Sequence, residues 1–152
     1  MASLNSGPGK AVAVGAVCGL ILLLSLFGTW AQIVCELEPC PEPSGWEVML
    51  VLDVPLALLA VAAIGLGVLA IVRPIPLVAL GMAVAGLVSV IIVLAVPLVE
   101  DRGVRPVDYG DHWFLGLLAA FGVLVAGLLG YFLLRPSRGD KEDEKDEGQD
   151  EG

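Results

Sequence analysis

The sequence predicts an all-α integral membrane protein: a four-helix bundle with both termini cytoplasmic and a disordered acidic C-terminal tail. Three observations predict it. Of the 152 residues, 57% are hydrophobic and the mean hydropathy is +0.89, well above the ~45–50% apolar usage of soluble domains. Four stretches, 11–29, 48–72, 75–99 and 113–134, each exceed the ~18 apolar residues that span ~30 Å of hydrocarbon as a helix. Finally, Lys10, Arg73, Arg135, Arg138, Lys141 and Lys145 fall on one side of that arrangement and only Arg102 and Arg105 on the other. Short cytoplasmic segments retain Lys and Arg, so the termini lie inside a plasma membrane and the segments 30–47 and 100–112 outside it.

Residues 1–10 are small, polar and interrupted by Gly and Pro, which predicts a disordered lead-in. A cleaved signal peptide is the rival reading of the first span, with small residues around 29–31. That apolar run is longer than the ~7–15 residues of a typical signal core, so it is read as a retained helix.

The second span has two readings of its start. Ser44-Gly45-Trp46-Glu47 fits a capping box, which would open a long helix near Gly45. Alternatively Asp53 is the N-cap, with Pro55 in the first turn. Only Arg73-Pro74 separates the second span from the third, so these two helices are antiparallel neighbours. Small residues recur at four-residue spacing: Gly15 with Gly19, Ala63 with Gly67, Gly81 with Ala85, and Gly122 with Ala126 and Gly130. In lipid, close backbone approach through such faces gains dispersion contact, either inside the bundle or between copies in a homo-oligomer.

The segment 30–47 holds Cys35 and Cys40 among Glu36, Glu38, Glu42 and Glu47. Glu38-Pro39 supplies a turn between the cysteines, and an outward location is oxidising. A disulfide is therefore the leading reading, with free thiols and a metal site behind it; structural zinc wants four Cys or His ligands. Cys18 reads as an apolar filler.

Asp53 is an ionisable group inside an apolar segment, where such groups are expensive and functional by default. It is placed in the outer third of the membrane, able to cap a helix, to accept from Thr29 or the Trp30 indole, or to bind a proton or ligand. A polar conduit is not expected within one protomer, because the third span offers only Ser89 and the fourth nothing polar before Tyr131.

No enzyme is expected. His112 is the single histidine, beside Trp113 at the start of the fourth span, and no Ser/His/Asp set, HExxH, P-loop or GxSxG occurs. Glu100, Asp101, Asp108 and Asp111 lie among Arg102 and Arg105, which reads as a solvated mixed-charge loop. No catalytic residue, metal ligand or cofactor is assigned. The formal net charge is −9 and no basic face suits nucleic acid. Residues 135–152 begin with Arg135 and Arg138 and end in GDKEDEKDEGQDEG, a segment too polar to bury enough surface to order itself. It is a solubilising tail or a docking strip for a basic membrane or cytoplasmic partner.

The first span ending LFGTW, the run GWEVMLVLDVPLALLAVAAI, the Arg-Pro hairpin and DHWFLGLLAAFGVLVAGLLGYFLLR resemble a family of uncharacterised small four-pass membrane proteins of actinobacteria. The resemblance covers most of residues 11–135. It implies the same topology and a cell-membrane location, and it brings no catalytic residue. The expected function is that of a noncatalytic interaction or scaffold component. The alternative is a subunit of a small transporter or oligomeric pore with Asp53 as its intramembrane acid. For the cysteine pair, nonreducing alkylation of the intact protein is expected to leave Cys35 and Cys40 unlabelled; full labelling of both would remove the disulfide.

Overall fold

The computed structural model describes residues 6–28, 31–33, 52–100 and 107–135. Helix α1 spans Gly7–Ser25 and strand β1 Ala31–Ile33; α2 spans Asp53–Val72, α3 Pro76–Glu100, β2 Val107–Tyr109 and α4 Asp111–Leu134. All four helices are long and apolar enough to cross a membrane, which makes this a multi-pass membrane protein. Leu58, Leu77, Leu118 and Phe132 are each more than 60% exposed, an outer surface suited to lipid and not to water.

The helix starts follow local chemistry. Ser6 caps α1, its Oγ accepting from the Gly9 N–H at 3.4 Å, and Pro8 occupies the first turn, where its missing N–H loses nothing. The expected lead-in over 1–10 is therefore already helical from Gly7. At its other end α1 stops at Ser25, short of 29, in a tight turn where the Phe27 and Gly28 N–H groups donate back to Leu24 and Ser25.

Helix α2 starts at Asp53, with Leu52 in the N-cap position and no side-chain cap bond. Asp53 is thus in the first turn, where an acid complements the N-terminal dipole, instead of being the cap. The capping-box residues 44–47 and the expected helical residues 48–51 lie outside the described residues. Between α2 and α3, Arg73 is extended at φ −126° and ψ 97°, the conformation that a following proline imposes. Its N–H still donates to Leu69, and α3 begins at Pro76.

The helices form an antiparallel ring in which α1 packs on α2, α2 on α3, α3 on α4 and α4 on α1. Gly7 lies beside Leu133, so the described chain enters and leaves at one end of the bundle. The opposite end carries a feature the all-α expectation lacked. Strands β1 and β2 pair antiparallel, Ala31 with Tyr109, Gln32 with Asp108 and Ile33 with Val107, joining the two long interhelical segments in a small ribbon.

The core has two layers. Leu22, Leu26, Leu56, Ala60, Val93 and Trp113 fill the ribbon end, while Val12, Ala63, Ala70, Met82, Val123 and Ala126 fill the other. Glycines set the spacing. An added Cβ at Gly86 would meet the Leu124 and Val123 backbone, and one at Gly127 the Ala83 backbone, so α3 and α4 touch main chain to main chain. On the α1–α2 side, Gly19 lies against the Ala60 carbonyl and Ala63, and Gly67 against Ala16 and the Val12 carbonyl. Gly15 faces Met82 and Ala126, Gly122 faces Cys18, and Gly130 faces Val12 and Ala79. Most of the small faces read from the sequence are therefore occupied within one chain. Gly81 is the exception, meeting only Leu66 at ordinary contact distance.

This packing predicts a contrast between two glycines. Gly127→Val forces the α3 and α4 backbones apart and should cost ~1–3 kcal/mol or more by overpacking. Gly65→Ala, with nothing within 4 Å of an added Cβ, should be neutral or stabilising by up to ~1 kcal/mol through helix propensity. Thermal unfolding in nanodiscs measures both; equal effects would contradict the packing.

Candidate functional site at the ribbon end

Polar side chains are scarce inside the bundle. Among the described residues the buried polar or charged ones are Ser25, Asp53 and Ser89. The Ser25 hydroxyl donates to the Leu22 carbonyl at 2.7 Å and the Ser89 hydroxyl to the Ala85 carbonyl at 2.9 Å. Each serine thus has a partner in its own helix.

Asp53 differs. It is 2% exposed, and its Oδ1 has no hydrogen-bond partner among the described residues. The reason is its place in the chain. The first turn of α2 turns the side chain inward above Leu56, the next buried position on the same helix face. Thr29 and Trp30, the donors envisaged from the sequence, lie outside the described residues. The energetics do not balance. An ionised carboxylate withdrawn from water without a counter-charge costs several kcal/mol even after relaxation. The helix N-terminus offsets ~0.3–1 kcal/mol of that, and ~2 in the best geometries.

Trp113, at the same end of the bundle as Asp53, is buried: it is 8% exposed, and its indole Nε1 donates to the Val93 carbonyl of α3 at 3.3 Å. The reason lies four residues further along α3. In an α-helix that carbonyl accepts from the N–H of residue i+4, which here is Pro97, with no N–H to give. Trp113 supplies the missing donor from the neighbouring helix, as hydrocarbon surroundings demand. A proline inside a span is the sequence signal that could have located this bond. Trp113 also stacks edge to face on Phe114, with ring centroids 4.8 Å apart.

His112, next along α4, is exposed, and its ring lies directly on the Gly28 backbone, leaving no room for a Cβ there. Asp111 is exposed in the first turn of α4. The remaining acids expected around it, Glu100, Asp101 and Asp108, have no described side chains, and Cys35 and Cys40 lie outside the described residues. Cys18 is a free, half-buried thiol against Gly122. No group of three metal-ligating side chains occurs among the described residues. On the outer surface, Val90, Leu94, Phe114, Leu117, Leu118 and Phe121 line an open apolar groove of about 600 Å³ between α3 and α4.

The Trp113 bond can be tested by coupling. Trp113→Phe leaves the Val93 carbonyl without a donor and should cost ~1–3 kcal/mol. Pro97→Ala restores an in-helix N–H, so the same substitution should cost markedly less in that background. A double-mutant cycle on thermal stability in nanodiscs reads the coupling; additivity would show that Trp113 contributes packing alone.

No protein-family model, no curated protein and no solved structure matches the chain.

Proposed function

We propose that this protein is a noncatalytic interaction or scaffold component of a plasma membrane, with both termini cytoplasmic. The observation that supports this most is the closure of the bundle on itself: backbone-to-backbone contact at Gly86 and Gly127, with the serine hydroxyls bonded to their own helices. A core packed in this way is a platform, and its recognition chemistry belongs at the ends. At one end the ribbon holds the two interhelical segments together; at the other the chain continues into the acidic residues 139–152. The tail carries eight acids against two lysines, which suits a basic partner at the cytoplasmic face.

A second reading draws on the unpartnered oxygen of Asp53. In it the chain is a transporter or pore subunit with Asp53 as the intramembrane acid. Within one protomer that reading lacks a polar path, so any conduit would have to form between copies.

The discriminating experiment is a crosslinked pull-down from native membranes, comparing the full chain with one stopped after Gly139. Capture of a basic partner by the full chain alone, competed by the free tail peptide and weakened by salt, is the expected result. Equal capture by both forms, or Asp53-dependent flux in liposomes without any partner, would favour the second reading.

A further inference from the structure

We propose that Asp53 is a proton-binding site, its carboxyl group carrying a proton in the closed bundle and releasing it when the ribbon end opens. This goes beyond the scaffold reading and stands whether or not a partner is found. The proposal begins from access. Oδ1 is closed to solvent inside a residue 2% exposed, so a proton is the ligand small enough to reach it without a rearrangement.

Charge around the group decides the rest. The antiparallel register, in which Gly19 lies against Ala60 and Ala63, sets Asp53 level with the turn that follows α1, near Gly28. No acidic or basic residue occurs in α1 after Lys10, at the far end of the helix, and α2 has none besides Asp53, with Arg73 following it at the far end. Helix α3 has none before Glu100. From α4 come Asp111 and His112, both exposed, with His112 on the Gly28 backbone. The ribbon contributes Asp108 and Tyr109 in sequence. In sequence, Glu36, Glu38, Glu42 and Glu47 precede α2 and Asp101, Arg102 and Arg105 follow α3, all outside the described residues. Among the described residues no cation is buried with Asp53, and its carboxylate form would be an uncompensated charge in the core.

A proton removes that charge. The acid form leaves a neutral carboxyl group, and a neutral polar atom without a partner carries a far smaller penalty than an unpaired anion. Removal of the proton restores the penalty, and the low-energy response is to bring Asp53 to water by separating the first turn of α2 from α1. Proton loss and opening of the ribbon end are therefore linked, with the closed form favoured as pH falls and the open form as pH rises.

Infrared spectroscopy of the full chain in lipid nanodiscs, with aspartate carboxyls carrying an isotope label, tests this. At neutral pH the expected spectrum has one protonated-carboxyl band, which deuterates slowly and is absent from Asp53→Asn. Asp53→Glu should move that band out of the labelled set, which keeps the test open if the asparagine variant fails to fold. Asp53→Asn, the shape of the neutral acid, should unfold at a temperature equal to or above that of the parent and lose the parent's fall in stability with rising pH. A spectrum of the parent with no protonated aspartate at neutral pH would overturn the proposal. So would a fall in stability of Asp53→Asn matched by Arg102→Gln or Arg105→Gln, because Asp53 would then be an ion-paired carboxylate.

Discussion

A backbone carbonyl in hydrocarbon has no water to accept from, and this constraint orders the rest of the molecule. The Val93 carbonyl is its clearest case. Pro97 deprives it of its donor within α3, and the Trp113 indole takes that place from α4. The bond fixes the rotation of α4 about its axis near its start, and with it the direction in which Phe114, Leu117 and Phe121 face. Trp113, being large and buried, also closes the ribbon-end core layer with Leu22, Leu56 and Val93. One missing N–H thus determines which residues are inside at that end.

The same solvent removes the ordinary reason for helices to associate. Lipid tails are as apolar as leucine, so burial of Leu or Val in the bundle gains little over exposure to acyl chains. What remains is contact density, and that is greatest where no Cβ intervenes. The α3–α4 pair exploits this at Gly86 and Gly127, and the α1–α2 pair at Gly19 and Gly67. The larger side chains follow from this geometry. Met82 is fully buried and reaches Gly15 on α1 because the backbones around it are close. The bulky residues Leu58, Leu77 and Leu118 point outward, since the interior has room mainly for Ala, Gly and a few Val, Leu and Met.

Much of this was legible in the sequence, and the parts that were not have identifiable causes. The four spans and the Arg73-Pro74 hairpin follow from apolar run length and from proline's effect on the residue before it, both local properties. The start of α1 was misplaced because composition read Ser6-Gly7-Pro8-Gly9 as a coil, whereas the same residues supply a cap and a first-turn proline. Gly86 and Gly127 escaped the four-residue pattern search because each acts as a single point of contact against a different helix. The ribbon was invisible for another reason: its three-residue strands are stabilised by pairing across more than 70 positions of chain, which no local pattern encodes. Of the candidate site, Asp53 stood out in the sequence, but its burial and unpartnered oxygen depend on tertiary packing, which no local pattern encodes. Trp113 required connecting a proline on one helix to an indole on the next.

The asymmetry between the two ends then carries the functional argument. At the end where Gly7 meets Leu133, the core layer is alanine, valine and methionine, with no buried ionisable group among the described residues. At the ribbon end, the layer includes a side-chain bond between helices and sits beside a buried acid whose Oδ1 has no partner among the described residues. Native structures rarely leave a buried carboxylate oxygen unmatched, because a methionine or leucine of similar size would pack at no electrostatic cost. On the proposal that Asp53 carries a proton, this end is the less stable half of the bundle and the half able to respond to its surroundings. Gly28 and the ribbon close over that same end, so a change there would pass directly to the paired segments. The glycine contacts between α3 and α4 lie deeper and would hold. A bundle rigid at one end and conditional at the other can therefore alter what it presents on one face of the membrane without dismantling the fold that holds it there.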